Sequence, residues 1–297
     1  AWLAPSIAVF FAMFLLRAWR WSTLLGGTPY AVTWHANIIG YMFNITLPLR
    51  LGEIARAYII GKNTDVRMAR AFSAIMVERI LDLTAVVLLF AWFTQRVPMR
   101  PAFTRAAEVG AIAIVACIAF GAALVKVPAI ERAITPVLQK LGKQRAEGWL
   151  RRFHDLRDGF RVVGSGRAMP LALAQTALVW GATIALAWVS MKAFLPEHTG
   201  FDQAGLAVVM ANLGGALPSA PGGLGIIQGF ATSALVIPFG IPEGAALAFV
   251  LVWSLGQQLI LVLLGLVSMG RLGMRFGEVR AGVRVDGPVV DQAPSRD

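Results

Sequence analysis

The sequence has little cysteine and little charge. Its single cysteine, Cys117, excludes an internal disulfide and any metal site built from several cysteines. Charged residues make up 14% of the 297 residues, against roughly 25% in a soluble domain. Residues 168–191 contain no Asp, Glu, Lys or Arg, and residues 203–270 contain only Glu243. With 57% hydrophobic residues and a mean hydropathy of +0.68, this composition excludes a water-soluble globule.

The long apolar segments predict an all-α, polytopic integral membrane protein, because a hydrocarbon core about 30 Å thick takes about 20 apolar residues per helix. Five segments are predicted to cross the membrane fully: 1–17, 72–95, 106–126, 169–193 and 244–270. The basic segment 128–165 predicts an amphipathic connector on the cytoplasmic surface, although a plain connector fits the same pattern. Residues 1–270 are thus expected to form one transmembrane domain, and residues 271–297 a partly disordered cytoplasmic tail.

Basic residues outnumber acidic ones by 27 to 16, and they lie beside the apolar segments. Ten lie in 126–167 and four in 271–284, while Arg17 and Arg20 are interpreted as flanking the first span. This placement favours a topology signal and contact with anionic lipid over nucleic-acid binding. By the positive-inside rule we expect the C-terminus to be cytoplasmic. Arg outnumbers Lys by 22 to 5, which favours a GC-rich bacterial genome and hence a bacterial inner-membrane protein.

Two further apolar regions, 31–60 and 203–242, are divided by proline and glycine into short halves. An even number of crossings between the two cytoplasmic regions predicts that each is a re-entrant hairpin, and that the two open on opposite sides. Both contain Asn, then Leu-Pro, then Gly: Asn44, Leu47-Pro48 and Gly52 in the first, Asn212, Leu217-Pro218 and Gly222 in the second. This similarity indicates an inverted repeat, whose broken helices point to a transport site near the membrane midplane.

Charged residues inside apolar segments form the main candidate site. They are Arg50, Glu53, Arg56, Glu78, Arg79 and Asp82. A charge at membrane depth costs several kcal/mol unless it is paired or hydrated, so these side chains must face each other or a watery cavity. One interpretation is a structural salt-bridge cluster. The other is a cavity open to the cytoplasmic leaflet, in which Arg50 and Arg56 contact the phosphate of an anionic head group and the acids position them.

The turn of the second hairpin adds uncharged candidates, because its helix ends could hold an anion or act as a hinge. A tight packing turn is the alternative. With the two hairpin asparagines, the uncharged part of the predicted substrate-binding set is Asn44, Asn212, Pro218, Ser219, Pro221, Gly222, Gly223 and Gln228. No catalytic motif is present, and the histidines are scattered without metal-ligand spacing. We therefore expect no enzyme activity, no cofactor and no metal.

Four motifs carry a family resemblance: Arg17-Ala-Trp19-Arg20-Trp21-Ser-Thr-Leu-Leu25, Pro48-x-Arg50-x-Gly52-Glu53-x-x-Arg56, Glu78-Arg79-x-x-Asp82 and Pro218-x-x-Pro221-Gly222-Gly223-x-Gly225. Together they resemble the lysylphosphatidylglycerol synthase transmembrane-region family over about 10–270. The resemblance implies a flippase-like protein that moves lipid between leaflets. It also implies the stand-alone form, because the residues after Gly270 are too few for the soluble aminoacyltransferase domain of the two-part synthases. We expect the family's usual first helix to be missing from this chain.

The expected function is lipid transport, with membrane lipid and the bilayer as partners. Two alternatives stay open: a non-transporting scaffold for a lipid-modifying enzyme, and an integral-membrane lipid transferase. The lipid also stays open among phospholipid, aminoacylated phospholipid, polyprenyl-phosphate sugar and hopanoid. The arginines favour an anionic head group, whereas a zwitterion or a cation could use the acids.

Overall fold

A computed structural model describes residues 2–47, 51–97, 167–216 and 220–283. These residues are almost entirely helical and contain no strand. Nine α-helices follow in chain order within this part: α1 (Leu3–Leu24), α2 (Tyr30–Thr46), α3 (Gly52–Asn63), α4 (Met68–Arg96), α5 (Ala168–Phe194), α6 (Phe201–Ala216), α7 (Ile226–Phe239), α8 (Glu243–Arg271) and α9 (Phe276–Val283). They confirm the predicted all-α membrane fold. The predicted span 106–126, the connector 128–165 and residues 284–297 lie outside the described residues.

Three helices begin and end within four residues of predicted spans, namely α4, α5 and α8. By length and composition, α1, α5 and α8 could each cross a membrane. The 29-residue α4 is long enough to do so, but it contains the charged residues Glu78, Arg79 and Asp82. The prediction for α1 was wrong at its C-terminal end. This helix continues past residue 17 to Leu24, so that Arg20 lies inside it rather than flanking it.

Both predicted hairpins are pairs of short helices packed against each other, α2 on α3 and α6 on α7. The 14-residue α7 rises about 21 Å, which is shorter than a hydrocarbon core of about 30 Å. Taken together with the preceding turn, however, Pro221–Phe239 is long and apolar enough to cross a membrane. The helix breaks are therefore observed, and their re-entrant placement in the bilayer stays a prediction.

The breaks in the two hairpins lie next to each other. The turn Pro221–Gly223 packs on α2, and a Cβ built on Gly222 would lie 3.5 Å from the carbonyl oxygen of Ile45. Gln258 of α8 donates a hydrogen bond from Nε2 to the carbonyl oxygen of Gly222 at 3.1 Å. Gly222 has a φ of +69°, a left-handed conformation that glycine adopts without steric cost. The tips of both hairpins therefore meet, with α8 beside them.

The short helix α9 packs on the first hairpin after the end of α8. Phe276 stacks on Phe43 of α2, with ring centroids 4.8 Å apart, and Val279 is fully buried. Lys62 at the end of α3 forms a hydrogen-bonded ion pair with Glu278 of α9. The segment after α8 thus begins as a docked helix.

We expect the docking of α9 to weaken at the extremes of pH. The hydrogen bond from Lys62 lowers the pKa of Glu278 below its ordinary 4.5, and the same bond raises the pKa of Lys62 above its ordinary 10.5. The pair therefore contributes fully between these ordinary values. Its contribution is lost as pH falls through the lowered pKa of Glu278 or rises through the raised pKa of Lys62. Spin labels at the exposed positions 61 and 277 should report a longer distance at either extreme.

Glu278→Gln provides the comparison for this experiment, because the amide cannot ionise. We expect this variant to show a partly released α9 already at neutral pH and no further change on acidification. The same response to acid in wild type and variant would contradict the prediction.

Candidate functional site

A buried ion-pair cluster joins three helices through Glu78 of α4. Glu78 is fully buried, and its two carboxylate oxygens bind different arginines. Oε1 accepts a hydrogen bond from Nη2 of Arg20 on α1 at 3.1 Å, and Oε2 accepts one from Nη2 of Arg56 on α3 at 2.7 Å. Arg20 and Arg56 are also buried, with exposed fractions of 0% and 2%. One carboxylate therefore connects α1 and α3 to α4.

Asp82 lies one helical turn after Glu78 and holds the other side of Arg20. The pair is bidentate: Nη1 of Arg20 lies 2.7 Å from Oδ1 and Nη2 lies 3.1 Å from Oδ2. The helix α5 contributes two further polar contacts, since Trp180 donates from Nε1 to Oδ1 of Asp82 at 3.2 Å and Thr176 accepts from Nη1 of Arg20 at 3.1 Å. The i, i+4 spacing of the acids places both on the face of α4 that meets α1.

Sequence reasoning missed Arg20 as a member of the site. It interpreted this residue as a flanking topology signal, whereas the structure places it between both acids. Arg17 and Arg20 lie three residues apart in an otherwise apolar helix, so they share a face. That spacing, together with two acids inside the next long helix, was the signal that could have identified the pair.

Arg56 is enclosed on two sides. Its guanidinium carbon lies 4.0 Å from the ring centroid of Trp21, a cation–π contact. On the other side it packs on Gly40 of α2, where a Cβ would lie 2.2 Å from Cγ of Arg56. In this arrangement Arg56 holds Glu78, and its contact with a phosphate stays a prediction. Arg50, the other predicted phosphate contact, lies outside the described residues.

Arg79 and Glu53 form the accessible edge of the cluster. Their side chains are 29% and 16% exposed, and Nε of Arg79 lies 3.3 Å from Oε1 of Glu53. The other two nitrogens of Arg79 lie 3.7 Å from Glu78 and 3.9 Å from Asp82, beyond hydrogen-bonding distance. Arg79 thus balances the acids electrostatically while most of its donors remain free of close protein hydrogen bonds.

Arg17 lies one turn before Arg20 and is half-buried. Its Nη1 donates a hydrogen bond to the hydroxyl of Tyr41 on α2 at 2.8 Å. Its Nε is buried and has no hydrogen-bond partner in the part of the chain that the structure describes. Among the described residues no Asp or Glu forms an ion pair with Arg17, in contrast to the other three arginines of this region.

Asn44 caps the helix that follows the break in the first hairpin. Its Oδ1 accepts a hydrogen bond from the backbone nitrogen of Gly52 at 2.9 Å, which satisfies an otherwise unpaired donor at the start of α3. The helices are very close here, because a Cβ on Gly52 would lie 1.9 Å from the carbonyl oxygen of Gly40. The predicted role of Asn44 in substrate binding stays a prediction beside this capping role.

In the second hairpin Gln228 closes the helix break, as Asn44 does in the first. Its Oε1 accepts from the backbone nitrogen of Gly225 at 2.8 Å, and its Nε2 donates to Oγ of Ser254 on α8 at 2.9 Å. Asn212 differs from Asn44, since it donates from Nδ2 to the carbonyl of Val208 within its own helix at 2.8 Å. The two halves of the predicted repeat therefore share helix breaks but use different side chains to close them.

The structure sorts the predicted site residues into separate groups. The first is the charged cluster of Glu53, Arg56, Glu78, Arg79 and Asp82. The turn Pro221–Gly223 lies at the meeting point of the hairpin tips, with Asn44 capping the break opposite. Arg50, Pro218 and Ser219 lie outside the described residues. Within the described part of the chain no three His, Cys, Asp or Glu side chains are grouped to hold a metal ion.

Comparison with known proteins identifies the family. The profile of the family described as lysylphosphatidylglycerol synthase TM region matches residues 1–265 of the 297-residue chain. No curated protein and no solved structure gives a significant match. The family match includes both hairpins and the whole charged cluster, and it associates this membrane protein with lipid. The chain belongs to the lysylphosphatidylglycerol synthase TM region family.

Proposed function

We propose that this protein is a lipid flippase that moves a lipid with an anionic phosphate head group between the leaflets of a bacterial inner membrane, with its C-terminus in the cytoplasm. The observation that carries the proposal is the arginine-rich cluster inside the membrane domain, with Arg79 and Glu53 partly exposed at its edge. Ionisable residues inside membrane helices commonly mark a substrate path. The family match supports a lipid as the substrate.

The hairpins supply a means of alternating access. Their tips meet at Gly222 and Ile45, and Gly222 and Gly223 both have positive φ. Broken helices that meet in this way recur in transporters, where one half rocks against the other around a central site. In this mechanism the head group enters beside Arg79 while the acyl chains stay in the lipid. Movement of the first hairpin would carry Glu53 away from or toward Arg79.

The arrangement of the acids supports binding rather than catalysis. Glu78 and Asp82 accept hydrogen bonds from arginines on both carboxylate oxygens, and Glu53 is paired with Arg79. A general base needs a free acceptor within reach of the proton that it removes. In the described cluster, guanidinium groups occupy both oxygens of Glu78 and of Asp82. We therefore propose that the protein moves its lipid without modifying it.

A non-transporting scaffold for a lipid-modifying enzyme is the second candidate. It is favoured by the ion pairs among Arg20, Arg56, Glu78 and Asp82, since a structural cluster also requires each charge to have a partner. The two candidates differ at the exposed edge. Only transport requires the charge of Arg79 to meet a moving head group.

The test is lipid exchange in liposomes that contain the purified full chain and fluorescent phosphatidylglycerol. Access of dithionite to the inner-leaflet label measures transport. We expect Arg79→Gln to slow exchange by about tenfold or more, the effect of losing a charge-assisted contact of moderate strength. Arg96→Gln is the matched control, because Arg96 lies on the same helix, is 51% exposed and pairs with Asp202.

Thermal unfolding in detergent confirms that both variants fold. Equal exchange by wild type and Arg79→Gln would contradict the proposed site while keeping the function. Folded wild type that moves neither phosphatidylglycerol nor a panel of other phosphate-bearing lipids would support the scaffold.

A further inference from the structure

Arg17 is a cation without a directly paired carboxylate in the described part of the cluster, although it is near enough to Asp82 to interact with it electrostatically. Its Nη1 donates to the neutral hydroxyl of Tyr41, and its Nε, like those of Arg20, Arg56 and Arg79, is buried without a hydrogen-bond acceptor among the described residues. A buried donor without an acceptor is costly, and more so when it is charged. The side chains of Arg17 and Tyr41 are both partly exposed, so a ligand can approach them.

A count of the charges in the described part of this region also leaves Arg17 without a carboxylate of its own. It contains four arginines and three carboxylates: Arg17, Arg20, Arg56 and Arg79 against Glu53, Glu78 and Asp82. The excess is one positive charge, and it falls on Arg17 because the other three arginines each have a carboxylate partner. An excess positive charge among the described residues favours an anionic ligand over a cationic one.

Tyr41 adds a second unused donor at the same place. Its oxygen accepts the hydrogen bond from Arg17, and its own proton has no acceptor among the described residues. Tyr41 is also near enough to Arg20 and Arg79 to interact with them electrostatically. The Arg17–Tyr41 pair therefore belongs to the same polar region as the cluster, on the side that faces α2.

We propose that Arg17 and Tyr41 form the phosphate-binding part of the site. The Arg17 guanidinium neutralises one phosphate, while Tyr41 donates its hydroxyl proton to the same group. This assignment rests on the proposed lipid function. It deepens that function because the protein then recognises the phosphate of the head group, rather than an amine or a sugar. The acids cannot serve an amine while they are held by arginines.

Binding is measured apart from transport, with the purified full chain in detergent. The probe is a short-chain fluorescent phosphatidylglycerol followed by anisotropy, and a fluorescent glucosylceramide is the lipid without phosphate. We expect wild type to prefer the phosphate lipid, and Arg17→Gln to weaken that binding by about tenfold, as for a lost charge-assisted bond of moderate strength. Tyr41→Phe keeps the ring and should weaken it by a smaller factor. Arg96→Gln is the control.

The outcomes separate this assignment from the proposed function. Weaker binding in Arg17→Gln supports the assignment even if wild type shows no lipid exchange, in which case only the flippase fails. Unchanged binding in a folded Arg17→Gln, or equal binding of both lipids by wild type, overturns the assignment. Competition by millimolar inorganic phosphate would identify the free anion as a ligand of the same site, whereas its failure to compete would identify the lipid head group as the ligand.

Discussion

Replacing Glu78 by glutamine is expected to destabilise the protein more than any other single change at the site. Glu78 is fully buried and gives one carboxylate oxygen to Arg20 and the other to Arg56. Removing one partner of a buried ion pair costs about 3–5 kcal/mol, because the remaining charge stays buried without compensation. Here Arg56 loses the carboxylate that it has among the described residues, while Arg20 keeps Asp82. Such a loss is a large part of a typical total stability of about 5–15 kcal/mol.

The measurement is thermal unfolding of the purified variant in mild detergent, with the yield of monodisperse protein as a second readout. Glu53→Gln is the matched control, because it makes the same chemical change at the edge of the same cluster. Glu53 has one partner, Arg79, whose side chain is partly exposed, so water can replace the lost contact. We expect that variant to unfold close to wild type. Equal destabilisation by both changes would contradict the central role of Glu78.

Gly52→Ala is expected to have the second largest effect. A Cβ at this position would lie 1.9 Å from the carbonyl oxygen of Gly40 and 2.6 Å from Oδ1 of Asn44. The first of these atoms belongs to the backbone of α2, so it cannot rotate away. The helices α2 and α3 would have to separate. This separation would weaken the hydrogen bond between Gly52 and Asn44 and the packing of Arg56 on Gly40. Overpacking of this kind costs about 1–3 kcal/mol, occasionally more.

Gly229→Ala in the second hairpin is the control for this change. A Cβ there meets no heavy atom within 4 Å, and alanine favours a helix interior over glycine. We expect Gly229→Ala to unfold at or slightly above the wild-type temperature, and Gly52→Ala to unfold clearly below it. A Gly52→Ala protein as stable as wild type would show that the two helices separate at little cost.

The helix breaks and most helix ends could be predicted from the sequence because their causes are local. Closely spaced proline and glycine disrupt a helix, whereas single ones are tolerated, as Pro238 and Gly229 are inside α7. Both hairpins were therefore located from Pro48 and Gly52 and from the turn at Pro221–Gly223. The apolar lengths of α5 and α8 also depend only on their own residues. The end of α1, in contrast, does not depend on the residues of α1 alone. Arg20 is tolerated inside this helix only because acids on α4 receive it, and no local pattern contains that information.

The membership of the charged site was predictable to a large extent, but the pairing was not. Unpaired charges are costly in apolar segments, which drew attention to five of the residues now found together. Which arginine meets which acid depends on how α1, α3 and α4 pack, and the enclosure of Arg56 by Trp21 and Gly40 is visible only in three dimensions. The same holds for Asn44, whose residue type suggested a ligand contact and whose side chain caps a helix.

The position of Arg20 also has a consequence for how the chain enters the membrane during synthesis. Its acidic partners lie 58 and 62 residues further along the chain, and Thr176 lies 156 residues further. When α1 emerges, none of them has been made. An unpaired arginine costs about 2.5–3.5 kcal/mol to insert at the centre of a helix and less near its end, where Arg20 lies. We therefore expect the nascent α1 to rest shallowly, with Arg20 among the lipid head groups. The first helix reaches its final depth only after the fourth has arrived.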